Sequence, residues 1–282
     1  MFLFTEFHNK SVGLTIKPKN VYSIFTKYQK LTFLETEDFG KVLVLDDLVQ
    51  LTERDEFIYH EMISHVAINT FPRKIEKVLI IGGGDGGTAR EVLKYNFIKE
   101  VHLVEIDKEV IEIAKKHMPF TAKAFEDKRL KVFIEDGRNF VRNTQNKYDI
   151  VLVDCSDPIG PSKVLFEKEF YQDCFKILKE DGIFVTQSES PFYSLDIIKD
   201  IIKNLKISFP IVKLYTANIP TYPAGYWSFT LASKVYDPLK VDIKRLKDKI
   251  KGKKLKYYNE DIHFSSFALP NYVKENLKEV LS

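Results

Sequence analysis

The chain reads as an α/β protein, a doubly wound, mostly parallel sheet preceded by a small antiparallel β domain. Three observations carry that reading. Apolar runs alternate with amphipathic stretches from Val78 onward, the first run ends in a glycine-rich turn, and the segments before residue 52 are short and alternating. Continuous apolar strands between amphipathic helices are buried on both faces, as in a parallel sheet with helices on either side.

Residues 14–17, 21–28, 30–36 and 41–45 are punctuated by Pro18, Gly40 and Asp46-Asp47, which predicts strands in antiparallel hairpins. From 53 to 70 the period becomes helical, with Phe57, Met62, Ile63 and Val66 spaced to line one face, and Pro72 ends the helix. Strands are then predicted at 78–81, 101–106, 130–135, 149–154 and 183–187, with helices opening at Gly87 and Lys108. The expected division is a β-hairpin domain over 1–52 and a catalytic domain over 53–282.

With 282 residues, 44% hydrophobic and 29% charged, the chain can bury a full core. A formal net charge of +3 is too mild to argue for nucleic acid. Cys155 and Cys174 make no disulfide framework and fit a reducing, cytoplasmic setting. Thr5, Glu6 and His8 interrupt the apolar N-terminus, so no signal-peptide core is expected, and no run approaches a membrane span.

The turn IIGGGDGGTARE joins the first strand of the sheet to a helix. Such turns bring backbone N–H groups to a ligand, often a phosphate, but Asp85 inside this one would repel pyrophosphate. A neutral or cationic group is expected there instead. In open sheets the ligand sits at the carboxyl ends of the strands, and those ends are acidic: Asp85, then Glu105 and Asp107, then Glu135 and Asp136, then Asp154 and Asp157. Asp107 and Glu135 read as helix caps. Asp85, Asp154 and Asp157 read as functional, because like charges crowded in a cleft call for a cation.

Glu105 lies about twenty residues beyond the glycine turn, where a carboxylate accepts from ribose hydroxyls. Asp136-Gly137 falls where a base would lie, with a helix cap as the plainer role. The stiff run DCSDPIGPS, residues 154–162, holds Asp154 and Asp157 at fixed spacing, and Cys155 between them reads as a small thiol without a histidine to activate it.

At these motifs the chain resembles the polyamine aminopropyltransferases, and within them the spermidine synthases. The resemblance runs over nearly the whole length: DDLVQ, TERDEFIYHEM, IGGGDGG, VEID, EDGRNF, DCSDPIGP, IPTYPAG and KYYNEDIHFSSFALP. It implies a Rossmann-like, S-adenosylmethionine-methyltransferase-type sheet. It also implies that Gln29, Gln50, Glu105, Asp136 and Gly137 hold the nucleoside, with Pro161 beside the adenine. Asp85 would bind the aminopropyl ammonium. Tyr59, His60, Asp85, Asp154, Cys155, Ser156, Asp157 and Tyr222 would line the amine channel, and Asp154 would accept the proton.

The implied reaction moves an aminopropyl group from decarboxylated S-adenosylmethionine, a co-substrate, to putrescine, giving spermidine and methylthioadenosine. No metal or redox cofactor is expected. The N-terminal strands would pair subunits into a homodimer or homotetramer, and the loop over 155–164 would act as a gate. Intact S-adenosylmethionine would set its carboxylate against Asp85, which is the feature that separates this reading from a methyltransferase on the same scaffold.

Two other readings are weaker. His60 and His65 sit five residues apart, roughly 140° around a helix, so they cannot share one zinc ion. The lysines of 240–256 alternate with Val241, Ile243, Leu246 and Ile250 as on a solvated amphipathic helix, rather than forming an RNA- or membrane-binding face. Tyr226 and Trp227 are expected near the channel mouth.

Overall fold

The structure, a computed structural model, describes residues 2–158 and 160–281. Six short strands come first: β1 Phe4–Phe7, β2 Gly13–Ile16, β3 Asn20–Phe25, β4 Lys30–Glu35, β5 Lys41–Leu45 and β6 Leu48–Thr52. The chain continues through α1 Glu56–Thr70, β7 Lys77–Gly82, α2 Gly87–Leu93, β8 Glu100–Glu105, α3 Lys108–His117, α4 Pro119–Ala122, β9 Leu130–Ile134, α5 Gly137–Asn143 and β10 Tyr148–Asp154. After these come α6 Lys168–Ile177, β11 Leu178–Gln187, α7 Leu195–Lys206, β12 Ile211–Ala217 and β13 Trp227–Ser233. Four helices close the chain: α8 Ile243–Ile250, α9 Glu260–Ser265, α10 Asn271–Asn276 and α11 Lys278–Leu281.

β1 and β2 form a hairpin, while β3 to β6 form a four-stranded antiparallel sheet in sequence order. β1 and β6 go beyond the strands read from sequence. β6 exists because Asp46 and Asp47 both take positive φ, 48° and 64°, as a two-residue hairpin turn requires. One face of the small sheet, including Leu31, Phe33 and Leu43, packs on Val110, Ile113 and Ala114 of α3. The other, including Leu34, Val42 and Val44, packs on Phe4 and Ile16 of the hairpin.

The large sheet has the order β12-β13-β11-β10-β7-β8-β9. β11, β10, β7, β8 and β9 run parallel, and β13 enters antiparallel between β11 and β12. Neither β12 nor β13 was expected from sequence. Successive residues point to opposite faces, so Val78, Ile80, Ile150 and Leu152 join one core while Leu79, Ile81, Val151 and Val153 join the other. Sequence order reverses between β7 and β10, which makes their carboxyl ends the switch point where ligands settle.

α1 departs from the expected one-sided pattern, since every residue of it except Phe57 is buried. Its polar residues are satisfied from the far side. Glu61 accepts backbone N–H bonds from Lys256, Tyr257 and Tyr258 at 2.8, 2.9 and 2.8 Å, so the C-terminal segment covers what would have been a solvent face. The basic stretch contributes only the short α8. Val241 and Leu246 are buried and Ile250 packs on the core, as the amphipathic reading expects, whereas Ile243 is 51% exposed. Lys249 donates to the carbonyls of Ile68 and Phe71 at 3.1 and 2.7 Å, closing the end of α1.

The switch point itself is tight. Gly83 N–H donates to the Asp154 carbonyl at 2.8 Å, and a Cβ on Gly82, whose φ is +80°, would stand 2.1 Å from that oxygen. Gly82→Ala should therefore cost at least about 2 kcal/mol, from the left-handed backbone and the overlap together. Urea denaturation checks this, and wild-type stability would show that the approach of β7 to β10 is not constrained as described.

Candidate active site

Asp85, Glu105, Asp136, Asp154 and Asp157 line one crevice at the carboxyl ends of the parallel strands. Asp107 and Glu135 do not line it. Asp107 caps α3 by accepting from Glu109 N–H at 3.1 Å, whereas Glu135 is exposed and the cap of α5 is its neighbour Asp136.

At one end of the crevice, the Glu105 carboxylate accepts from Asp107 N–H at 2.9 Å. Burial outweighs that bond and pushes its pKa up to about 7. Asp107 also accepts from Thr26 Oγ1 at 2.7 Å and Gln29 Nε2 at 3.0 Å, so the small sheet is tied to the end of β8. Gln29 and Gln50 both line the crevice, Gln50 with its Nε2 donating to Leu48 O at 3.2 Å. Asp136 accepts from Asn139 N–H at 2.8 Å, a cap in fact as well as a crevice residue, and Gly137 is buried beside it. The Pro161 side chain lies outside the described residues, as does Ile159.

At the other end, Asp85 and Asp154 face each other around His60, with one ligating atom from each of the three within 4.8 Å of the others. Asp85 Oδ1 accepts from Gly87 N–H at 2.7 Å and lies 3.3 Å from His60 Nε2. His60 Nδ1 is 2.6 Å from Glu56. Burial opposes charge on this imidazole, but Asp85 and Glu56 outweigh it and lift its pKa to about 10. The two aspartates then diverge. Burial raises the Asp85 pKa, yet His60 and the Gly87 N–H more than reverse this, whereas burial and the charge of Asp85 together raise that of Asp154.

Tyr59 hydrogen-bonds Asp154, and Thr88 Oγ1 donates to it at 2.7 Å. Tyr222, which packs on Tyr59 with ring centroids 5.9 Å apart, donates its hydroxyl to Gln50 O. Cys155 is half-buried in the wall, and burial followed by the neighbouring Asp154 pushes its thiol well up, away from nucleophilic use. Ser156 lines the wall and donates to Ser162 at 3.3 Å. The expected gate begins as loop and continues as a 3₁₀ turn over Gly160–Phe166, with Ser162 tied back to the Asp157 carbonyl.

By residue type, His60, Asp85 and Asp154 could ligate a cation. In this structure both imidazole nitrogens of His60 are engaged by carboxylates, Nδ1 by Glu56 and Nε2 by Asp85. His65 faces elsewhere, with Nδ1 on Tyr95 at 2.8 Å and Nε2 on Glu91 at 2.8 Å, in keeping with the helical-angle argument against a shared zinc.

The Spermine/spermidine synthase domain model matches residues 56–244, and the Spermidine synthase tetramerisation domain model matches 2–53. A polyamine aminopropyltransferase of Methanocaldococcus jannaschii is 49% identical over 281 residues, covering 99% of this chain and 96% of the relative. One from Caldicellulosiruptor bescii is 50% identical over 276 residues, with 98% of each chain covered. The chain belongs to the polyamine aminopropyltransferases. Among solved structures of the family, a spermidine synthase in complex with the transition state analogue AdoDATO superposes with TM-score 0.95 at 42% identity, covering 99% of this chain and 95% of that one. The spermidine synthase of Thermotoga maritima gives TM-score 0.92 at 41% identity, with 98% and 94% covered. The Rossmann-like sheet expected from sequence is thus the fold of the family.

Two acidic residues of this family member, one in the crevice and one beside it, escaped the sequence reading. Glu6 arrives from β1, accepting from Val49 N–H at 2.9 Å, and burial pushes its pKa up to about 7. Glu189 hydrogen-bonds Asp157, and burial and that neighbour push it well up. It follows β11, so the strand-end rule that found the other acids would have reached it; its φ of +65° could not be foreseen. Trp227 lines the crevice as expected, whereas Tyr226 does not and belongs to the core behind it.

Glu105 makes a pH prediction. Its folded pKa of about 7 lies above the ordinary 4.5, so as pH rises between those values the unfolded chain releases its proton first and folding stability falls. Glu105→Gln should remove this loss, gaining on the order of 3 kcal/mol against wild type at pH 8 relative to pH 4. Parallel urea curves at the two pH values check it, and an equal gap at both would contradict the buried acid.

Proposed function

We propose that the chain is a spermidine synthase, moving the aminopropyl group of decarboxylated S-adenosylmethionine to putrescine to give spermidine and methylthioadenosine. The observation that carries this is the run of acids along the crevice: Glu105, Asp85 and Asp154, then Asp157 and Glu6, all line it, and Glu189 is bonded to Asp157. A donor with a sulfonium and an ammonium suits the first half, and a doubly protonated diamine suits the second.

Glu105 accepts from the ribose hydroxyls, and Asp136 stands where an exocyclic amine of the base would donate. Asp85 receives the donor's ammonium. The attacking amine must first lose a proton, and Asp154, raised by burial and by Asp85, is a better base than an exposed carboxylate. Tyr59, already bonded to Asp154, is placed to hold the nitrogen. The nitrogen lone pair then forms the N–C bond, the C–S electrons return to sulfur, and methylthioadenosine leaves neutral. No metal or redox group is needed for that displacement.

Two like charges 4 Å apart at an effective dielectric of about 20 cost roughly 4 kcal/mol, near a thousandfold in affinity. That is the upper figure for rejection of a carboxylate-bearing donor, because the imidazolium of His60 offsets part of the field of Asp85.

The N-terminal sheet suits the pairing of subunits into a homodimer or homotetramer. Its edge strand β3 leaves Val21, Tyr22 and Phe25 exposed, and Phe7 of the hairpin is 68% exposed. No helix among the described residues is long and apolar enough to cross a membrane.

Mass-spectrometric product analysis with decarboxylated donor and a panel of putrescine, cadaverine, agmatine and spermidine tests the acceptor. Spermidine should dominate; preferential aminopropylation of agmatine or spermidine would replace this reading. Asp154→Asn should lower kcat by about 10²–10⁴ while leaving methylthioadenosine affinity within about threefold. A fully active variant would remove Asp154 as proton acceptor.

A further inference from the structure

Behind the reacting acids lies a buried chain of charge that the reaction as described does not use. Arg90 of α2 grips Glu56 of α1 with both terminal nitrogens, Nη1 to Oε1 and Nη2 to Oε2, each at 2.8 Å. Its Nε is bonded to Glu91 at 2.8 Å, and Nη1 also donates to Phe120 O at 2.8 Å, so the guanidinium cannot swing away. Glu56 in turn meets His60 Nδ1 at 2.6 Å, and His60 Nε2 meets Asp85 at 3.3 Å. The imidazole lies on bare backbone, since a Cβ at Gly87 would come within 2.2 Å of the ring.

We propose that Glu56 and Arg90 are positioning residues of this active site. They lock His60 as a doubly donating imidazolium, which fixes Asp85 as a permanent anion and leaves Asp154 as the acid that exchanges a proton. In that state His60 offers no acceptor to an ammonium and orients Asp85. The catalytic part of this inference rests on the aminopropyl-transfer reading; the protonation of His60 does not.

The three carboxylates that face the ring favour this assignment. Glu56 approaches from its own helix, Asp85 from the β7–α2 turn and Asp154 from the end of β10, all acidic. Among the described residues the cation beside them is Arg90, whose charge is taken up by Glu56 and Glu91. The neighbouring aromatic, Tyr59, meets the ring edge-on with centroids 5.5 Å apart and interplanar angle 86°. Asp154 takes its hydrogen bonds from neutral hydroxyls, those of Thr88 and Tyr59, while Asp85 is the one of the two aspartates paired with the ring. The asymmetry between two otherwise similar aspartates thus traces to which one the histidine faces, and the Glu56–Arg90 clamp decides that.

The direct test is ¹⁵N-histidine NMR of the full-length free enzyme, with the His60 signal assigned by its loss in His60→Gln. Wild-type His60 should keep both nitrogens protonated through pH 8. Glu56→Gln should move its midpoint down by about one to three units and bring a matching new ionisation into the pH profile of kcat/KM for the amine. Glu56→Asp should restore most of the wild-type profile. A neutral His60 at pH 7 in the wild type overturns the proposal without need of any variant. So does a Glu56→Gln enzyme whose kcat falls equally at every pH with the His60 midpoint unmoved. A retained His60 proton in a chain that transfers no aminopropyl group would instead sink the functional reading and leave the protonation standing.

Discussion

Two carboxylates facing each other at the reversal of the sheet are the constraint on which the rest depends. Asp85 and Asp154 approach because β7 and β10 are neighbours whose backbones touch at Gly83 N–H and the Asp154 carbonyl. Left alone in a buried crevice, two such acids would share a proton, and neither would have a defined role. One imidazole, paired with Asp85, breaks the symmetry. The anion so fixed suits a cationic ligand, and the acid left raised suits proton acceptance.

Helix α2 serves all of this from seven residues. Gly87 donates to Asp85 and makes room for the His60 ring, Thr88 donates to Asp154, Arg90 clamps Glu56, and Glu91 holds both Arg90 and His65. α1 supplies the facing groups and is buried all round, so rotating either helix would break several charge-assisted bonds at once. The rigidity required by the chemistry and the packing required by the core are supplied by the same pair of helices.

Much of this was legible in the sequence where local rules suffice. Apolar runs marked the parallel strands, and the rule that ligands gather at strand ends brought Asp85, Glu105, Asp136, Asp154 and Asp157 together before any coordinates. Family motifs then assigned roles to His60, Tyr59 and Tyr222. What could not be read depends on distant parts of the chain. β13 inserts between β11 and β12, and nothing local to its own residues specifies that place. The one-sided reading of α1 failed because the C-terminal segment, nearly two hundred residues away, satisfies Glu61. Glu6 enters from β1 for the same reason, and the Glu56–Arg90 clamp joins two helices whose contact no periodicity reveals.

The central claim is that a fixed anion at Asp85 reads whether the donor has lost its carboxylate. Calorimetric titration of the enzyme with decarboxylated and intact S-adenosylmethionine, in wild type and Asp85→Asn at equal ionic strength, tests it most directly. The account predicts at least tenfold tighter binding of the decarboxylated donor by the wild type, with the ratio collapsing toward one in Asp85→Asn. Equal affinities in the wild type, or a ratio unchanged by Asp85→Asn, would contradict it.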